Sequence, residues 1–156
     1  MEKYKEIERK FIVDNDLLNE ELKNYFIEDI YTIKQGYLIE DDDSVLRIRT
    51  TYDRAFLTFK KGKDPLNRIE FEKEITKEDG DFLLLLCPKV LFKIRTVITH
   101  NKTKIEIDFF LNNLILAEIE LKDKDDHYDL PSFIKLENEV TNNPAYNNSE
   151  LIKNIK

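Results

Sequence analysis

Six stretches of this chain carry two like charges separated by one residue: Glu6/Glu8, Arg47/Arg49, Glu70/Glu72, Lys93/Arg95, Glu106/Asp108 and Glu118/Glu120. Lys10 follows the first pair at the same spacing. In a β-strand, residues i and i+2 face the same side. Each doublet therefore sets like charges side by side, which costs energy unless something answers them. The residues between are mostly apolar, with Ile7, Leu46, Ile48, Phe71, Ile94, Ile107 and Ile119 in or beside the doublets. The pattern describes a sheet with one apolar face and one face of acidic and basic rungs. Carboxylate oxygens suit hard ions such as magnesium or manganese. Arginine forks and lysine point charges suit phosphate oxygens. The combined chemistry is that of a site for a divalent metal and a polyanion.

A solvated face of an antiparallel sheet is also charged. Here, however, the doublets repeat one sign at a time, and Thr, Ser and Gln are scarce at these positions. The acids are Glu6, Glu8, Glu70, Glu72, Glu106, Asp108, Glu118 and Glu120; the bases are Lys10, Arg47, Arg49, Lys60, Lys93 and Arg95. Six bases cannot neutralise eight acids, so cations are the natural complement.

The elements that must position these side chains follow from the alternation. Residues 4–13 read as a first strand, after which Asp14 caps a short helix to about Tyr25. Residues 28–39 read as a strand containing Gly36, a place for a bulge or a close approach. Asp41-Asp42-Asp43-Ser44 reads as a solvated turn, and 45–51 with 55–60 as a hairpin. Residues 68–75 form the next strand. Thr76 and Asp79 mark the start of a helix expected to bury Phe82, Leu83 and Leu86 and to stop before Pro88. Strands at 89–99, 103–111 and 114–122 are separated by His100-Asn101-Lys102 and Asn112-Asn113, both with turn chemistry. A final short helix is expected at about 149–156. About eight strands joined by short antiparallel connections predict a single-domain, mainly β, α+β fold: an eight-stranded antiparallel barrel with two to four helices outside.

Composition sets outer bounds. At 156 residues one domain is expected, and 37% charged residues make it charge-rich but foldable. A net charge of -7 argues against nucleic acid as a partner. Cys87 is the single cysteine, so no disulfide framework is expected. The start, MEKYKEIERKF, lacks the apolar core of a signal peptide, and the longest apolar run, Phe82 to Cys87, is too short to span a membrane. The expectation is a cytoplasmic protein without a membrane partner, its oligomeric state open, a homodimer included. His100, in a turn, and His127, in a polar loop, have no partner constellation and read as surface residues.

With these residues in place, Glu6-Ile7-Glu8-Arg9-Lys10 resembles the ExExK signature of the CYTH superfamily, the triphosphate tunnel metalloenzymes. Gln35-Gly36-Tyr37-Leu38 resembles that family's QGYL segment, Leu46-Arg47-Ile48-Arg49 its paired-arginine strand and Thr58-Phe59-Lys60 its single-lysine strand. Arg68-Ile69-Glu70-Phe71-Glu72, Lys93-Ile94-Arg95, Ile107-Asp108-Phe109-Phe110 and Ala117-Glu118-Ile119-Glu120 continue the similarity in order, over about residues 4–143. The resemblance implies a metal-dependent hydrolase of inorganic triphosphate, of the short single-domain bacterial type, using Mg2+ or Mn2+. It implies that Glu6, Glu8 and Glu120 hold the metal. Lys10, Arg47, Arg49, Lys60, Lys93 and Arg95 would cradle phosphate oxygens. Glu70, Glu72, Asp108 and Glu118, with Lys10, would be the catalytic set, positioning a second ion and the attacking water. Other readings in the same superfamily are an adenylyl cyclase or a thiamine or nucleoside triphosphatase; outside it, a non-catalytic polyphosphate- or nucleotide-binding module. After Glu139-Val140-Thr141 the chain departs from the family pattern. Asn143 and Ala145 stand where an acid and an arginine are common, which puts the tunnel-closing segment in question.

Overall fold

The computed structural model describes residues 2–154. The strands are β1 (Lys5–Glu6), β2 (Glu8–Ile12), β3 (Asp29–Glu40), β4 (Ser44–Thr50), β5 (Ala55–Lys61), β6 (Arg68–Ile75), β7 (Val90–His100), β8 (Thr103–Phe110) and β9 (Ile115–Glu120). The helices are α1 (Asn15–Glu21), α2 (Lys77–Leu85) and α3 (Asn148–Leu151), with short 3-10 turns besides. All pairings are antiparallel, in the order β1-β6-β5-β4-β3-β7-β8-β9-β2.

The two ends of that order belong to one stretch of chain. β1 and β2 are separated by Ile7 alone, so the strand read at 4–13 pairs with β6 through its first part and with β9 through its second. At the change of partner, the Ile7 carbonyl accepts from Leu121 N–H at 2.8 Å and Glu8 N–H donates to Pro65 O at 3.2 Å. The chain itself thus closes an eight-stranded tunnel, which leaves no free sheet edge.

The local signals act as expected at the helix starts. Asp14 Oδ1 accepts from Asp16 N–H and Leu17 N–H, each at 3.0 Å, and Thr76 Oγ1 accepts from Asp79 N–H at 3.1 Å. The face that α2 buries differs from the expectation. Gly80 and Leu84 are buried, whereas Phe82 is 60% and Leu86 57% exposed, and Leu83 is half-buried. The reason is backbone approach. A Cβ on Gly80 would lie 2.3 Å from Ala55 Cβ, so the helix docks on β4 and β5 through its glycine and turns its larger side chains outward. Gly36 serves the same contact from the sheet: a Cβ there would lie 2.6 Å from Cys87 Sγ. The β3–β4 register then shifts between Tyr37 and Ile39, so both readings of that glycine are realised, the irregularity falling just after it.

Outside the barrel, one hydrophobic core lies between β2, β7, β8 and β9 and the layer of α1 and the loop at 123–134. It includes Phe11, Leu18, Ile98, Ile105, Ile107, Ile119 and Phe133. The apolar outer face is not covered everywhere: Phe59, Ile69 and Phe71 on β5 and β6 remain 40–48% exposed. The final helix is shorter than expected, ending at Leu151 with a 3-10 turn over Ile152–Asn154; residues 155–156 of the expected helix lie outside the described residues. No helix among the described residues is long and apolar enough to cross a membrane.

Candidate functional site

Strand alternation sends the charged rungs into the tunnel. A cavity of about 1380 Å³ is lined by Glu6, Glu8, Lys10, Arg47, Arg49, Lys60, Glu70, Glu72, Lys93, Arg95, Glu106, Glu118 and Glu120. These are all the residues singled out from the sequence for the site except Asp108, which is fully buried beneath Lys93 and Arg95. The strand order sorts the charges. β4 and β7 flank β3, so Arg47, Arg49, Lys93 and Arg95 form one basic wall. The closing strand with its neighbours β6 and β9 forms the opposite wall, with Glu6, Glu8, Glu70, Glu72 and Glu120.

Each base is held by carboxylates. Asp108 accepts from Lys93 Nζ at 2.5 Å and from Arg95 Nε and Nη2 at 2.7 Å each. Arg95 also donates to Glu118 at 2.9 Å and to Glu106. Lys10 Nζ lies 3.0 Å from Glu118 and 3.5 Å from Glu8. Lys60 Nζ donates to Glu6 Oε1 at 2.5 Å and pairs with Glu70 at 2.8 Å. Arg47 and Arg49 share Glu72, and Thr58 Oγ1 donates to the same carboxylate at 2.9 Å. These pairs span up to 108 residues of sequence and cross between strands, which fixes the long side chains before any ligand arrives.

Burial and neighbouring charge pull the ionisation equilibria in definite directions. For Lys10, burial works against the ammonium, but Glu118 and Glu8 outweigh it and raise the pKa. Burial also opposes ionisation of Glu118 and Asp108; the cations beside them (Lys10, Lys93 and Arg95 for Glu118, Lys93 and Arg95 for Asp108) hold both carboxyls below their usual range. Lys93 goes the other way. Burial dominates, Arg95 competes for the same anion, and the pKa falls to about 8 despite Asp108. Burial raises Tyr37, against Arg47, to about 12, so its phenol stays protonated and accepts from Gln35 Nε2 at 2.8 Å.

Glu120 is the acid without a base. It forms no ion pair among the described residues, faces Glu8 across the β2–β9 ladder, and has its pKa raised by burial and by Glu6, Glu70, Glu106 and Glu8. A carboxylate crowded by carboxylates is the environment a cation relieves, so the donor set fits a hard divalent ion. Among the described residues no three His, Cys, Asp or Glu side chains form a ready cage. An ion such as magnesium keeps waters and needs only one or two carboxylates plus phosphate oxygens. Glu6 is less free than its position in the sequence implies, because both its oxygens are taken, one by Lys60 and one by Arg68 Nε at 2.8 Å.

Arg68, which the doublets do not single out, opens the stretch Arg68-Ile69-Glu70-Phe71-Glu72; its inward register opposite Glu6 places it on the cavity wall. The C-terminal segment was also only half legible. Pro144, Asn147, Asn148 and Lys153 line the cavity, and Ile152 is buried against Leu91, Phe110 and Leu116. The segment therefore does close over one end of the tunnel despite Asn143 and Ala145. Asn143 caps its 3-10 turn by accepting from Ala145 N–H at 3.1 Å. Lys153 sits between Glu40 and Glu150 at 2.8 and 2.6 Å.

Comparison with known proteins agrees with this geometry. The inorganic triphosphatase of Acetivibrio thermocellus is 37% identical over 155 residues, covering 96% of this chain and 94% of that protein. The crystal structure of the inorganic triphosphatase NE1496 superposes with a TM-score of 0.61 at 26% identity, covering 96% of this chain and 95% of its own. A protein of Pyrococcus horikoshii OT3, PH1012, shares the fold with a TM-score of 0.62 at 20% identity, over 74% of this chain and 77% of that one. The family model described as the CYTH domain matches residues 4–145, and on that match, with the charged tunnel that fills it, the chain belongs to the CYTH domain family.

Proposed function

We propose that this protein hydrolyses inorganic triphosphate to pyrophosphate and phosphate, with a divalent metal, magnesium or manganese, as cofactor. The observation that carries the reading is the division of the tunnel into a basic wall and an acidic wall facing one cavity. A metal–triphosphate complex presents both complements, an anion for one wall and a cation for the other. The curated relative and the solved structure described as inorganic triphosphatases support the same substrate class.

Arg47, Arg49, Lys93 and Arg95, with Lys10 from the closing strand and Lys60 from β5, would bind the phosphate oxygens and neutralise charge that spreads over the transferring phosphoryl group. Glu8 and Glu120 would hold the divalent ion; Glu6 would join them by giving up Lys60 or Arg68. When bound, the ion supplies positive charge on the acidic side and favours ionisation of the attacking water. Glu70, which Lys60 keeps ionised against the effect of burial, and Glu72 would orient that water from β6. Asp108, buried under the basic wall, and Glu118, on the cavity lining, act through the bases. They hold Lys93, Arg95 and Lys10 in place, so little reorganisation is left for the moment of reaction.

The test is phosphate release from tripolyphosphate, ATP, pyrophosphate and thiamine triphosphate, each with magnesium, manganese or a chelator. Metal-dependent release from tripolyphosphate, with the others slow, is expected. Release from none of them would defeat the reading, and faster release from ATP or thiamine triphosphate would reassign the substrate.

A further inference from the structure

We infer that Thr58 is a positioning residue for hydrolysis: its hydroxyl keeps the Glu72 carboxylate in place when the arginines that also hold Glu72 turn to the phosphate chain. The inference rests on the triphosphatase reading and on Glu72 as a group that orients the attacking water. It adds a residue that never touches the substrate.

The register sets the geometry. Arg47 on β4, Thr58 on β5 and Glu72 on β6 stand opposite one another, so a single inward row runs Arg47–Thr58–Glu72. Arg47 and Glu72 line the cavity. Thr58, the uncharged member between them, has no solvent exposure. It lies beneath the two charged side chains, out of reach of a ligand.

Hydrogen-bond chemistry then fixes where the hydroxyl proton goes. A guanidinium can only donate, so Thr58 Oγ1 accepts from Arg47 Nη2 at 3.1 Å. The one proton on Oγ1 is left for Glu72 Oε2, 2.9 Å away. A β-branched side chain has few χ1 choices, which holds Oγ1 in this position.

Glu72 has two other partners, and both belong to the set assigned to phosphate. Arg49 Nη2 lies 3.2 and 3.1 Å from its two oxygens, and Arg47 Nη2 lies 3.4 Å from Oε2. The Arg49 and Glu72 side chains are 20% and 29% exposed, so that pair is open to competition from the cavity. A triphosphate carries several negative charges against one on Glu72 and draws the guanidinium away. Arg47 need not leave its row to join it. Its Nε is buried and has no hydrogen-bond partner among the described residues, so Nε can take a phosphate oxygen while Nη2 stays on Thr58. Once the arginines are engaged, Glu72 stands beside a bound anion of its own sign. The buried Thr58 O–H is the tether that the substrate cannot compete for.

The experiment compares Thr58→Val, which keeps the shape and removes the hydroxyl, with Thr58→Ser, which keeps the hydroxyl. Glu72→Gln and the double variant Thr58→Val/Glu72→Gln complete a cycle. Phosphate release from tripolyphosphate with magnesium gives kcat and KM. Isothermal titration calorimetry with tripolyphosphate and a chelator gives binding apart from turnover, and circular dichroism checks folding at the assay temperature. Thr58→Ala takes the place of Thr58→Val if a second methyl beside Arg47 unfolds the chain.

Thr58→Val should lower kcat about 10–100-fold, the range for groups that act through another residue. KM and the dissociation constant without metal should stay within about twofold of wild type. Thr58→Ser should recover kcat to within about threefold of wild type, and Thr58→Val should cost less than about twofold when Glu72→Gln is already present. An unchanged kcat in folded Thr58→Val, a loss that serine does not restore, a rise in KM alone, or additive losses in the double variant overturns the assignment. Wild-type protein that binds tripolyphosphate but releases no phosphate would instead defeat the triphosphatase reading.

Discussion

Replacing Asp108 by asparagine removes one charge and almost no volume, at a position with no solvent exposure. Asp108 accepts three hydrogen bonds at 2.5 to 2.7 Å from two cations, Lys93 and Arg95, themselves 3% and 5% exposed. Taking one partner from a buried ion pair leaves the other charge buried and unanswered, which costs about 3–5 kcal/mol. Arg95 keeps Glu118 and Glu106, so the loss falls mainly on Lys93. In a chain of this length each kcal/mol moves the thermal midpoint by roughly 2–4 °C, giving a fall of about 6–20 °C for Asp108→Asn. The assay is thermal unfolding by circular dichroism at pH 7, with and without tripolyphosphate. An anion in the tunnel replaces part of the missing carboxylate charge, so tripolyphosphate should raise the midpoint of the variant more than that of the wild type. A midpoint within 2 °C of wild type, or equal stabilisation of both proteins by tripolyphosphate, would refute the view that Asp108 is the counter-charge holding the basic wall.

Three further outcomes are expected. Lys93 has a folded pKa of about 8 against 10.5 unfolded, so between those values the unfolded chain binds more protons and stability rises with pH. Urea unfolding at pH 8 and 9.5 should therefore show wild type gaining about 1.6 kcal/mol relative to Lys93→Met, and a constant difference would contradict it. Glu120→Gln should remain folded and lose more than about 100-fold in turnover at saturating metal, beyond the 10–100-fold typical of groups that only support a ligand; near-normal turnover would remove Glu120 from the metal set. Gly80→Ala puts a methyl group 2.3 Å from Ala55 Cβ and should cost about 1–3 kcal/mol with the Michaelis constant unchanged, whereas an unaltered urea midpoint would mean that α2 is not docked through Gly80.

The tunnel could be read from the chain because its message is local. An alternation of period two states which side chains share a face, and the doublets state the charge on that face. The partner across the tunnel is not local information. Nothing near Glu6 announces Lys60 and Arg68, and nothing near Asp108 says that Lys93 and Arg95 cover it while Glu106, two residues away on the same face, reaches the cavity. Those distinctions depend on how the ring is staggered when it closes. The face of α2 is not legible for a related reason. Counting apolar residues selects Phe82 and Leu86, but close approach to the sheet selects the residue with no side chain, Gly80. The C-terminal cap depends on Ile152 meeting Leu91, Phe110 and Leu116, a contact whose members are apolar residues of no special spacing.

The split of the first strand between β6 and β9 also fixes an order of events in synthesis. The residues that seal the barrel leave the ribosome before the rest of the sheet, while their partners in β9 come more than 100 residues later, and the Val140 N–H that bonds to the Lys10 carbonyl at 2.8 Å later still. The nascent chain can join β3 to β6 as sequence neighbours and then add β7 and β8 beside β3, but it cannot close a ring. Until residue 120 emerges, the tunnel is an open, curved sheet with its charged rungs in water and two unpaired edges. Closure is thus the long-range step, and the pairs of Lys10 with Glu118 and of Lys60 with Glu6 form only after it.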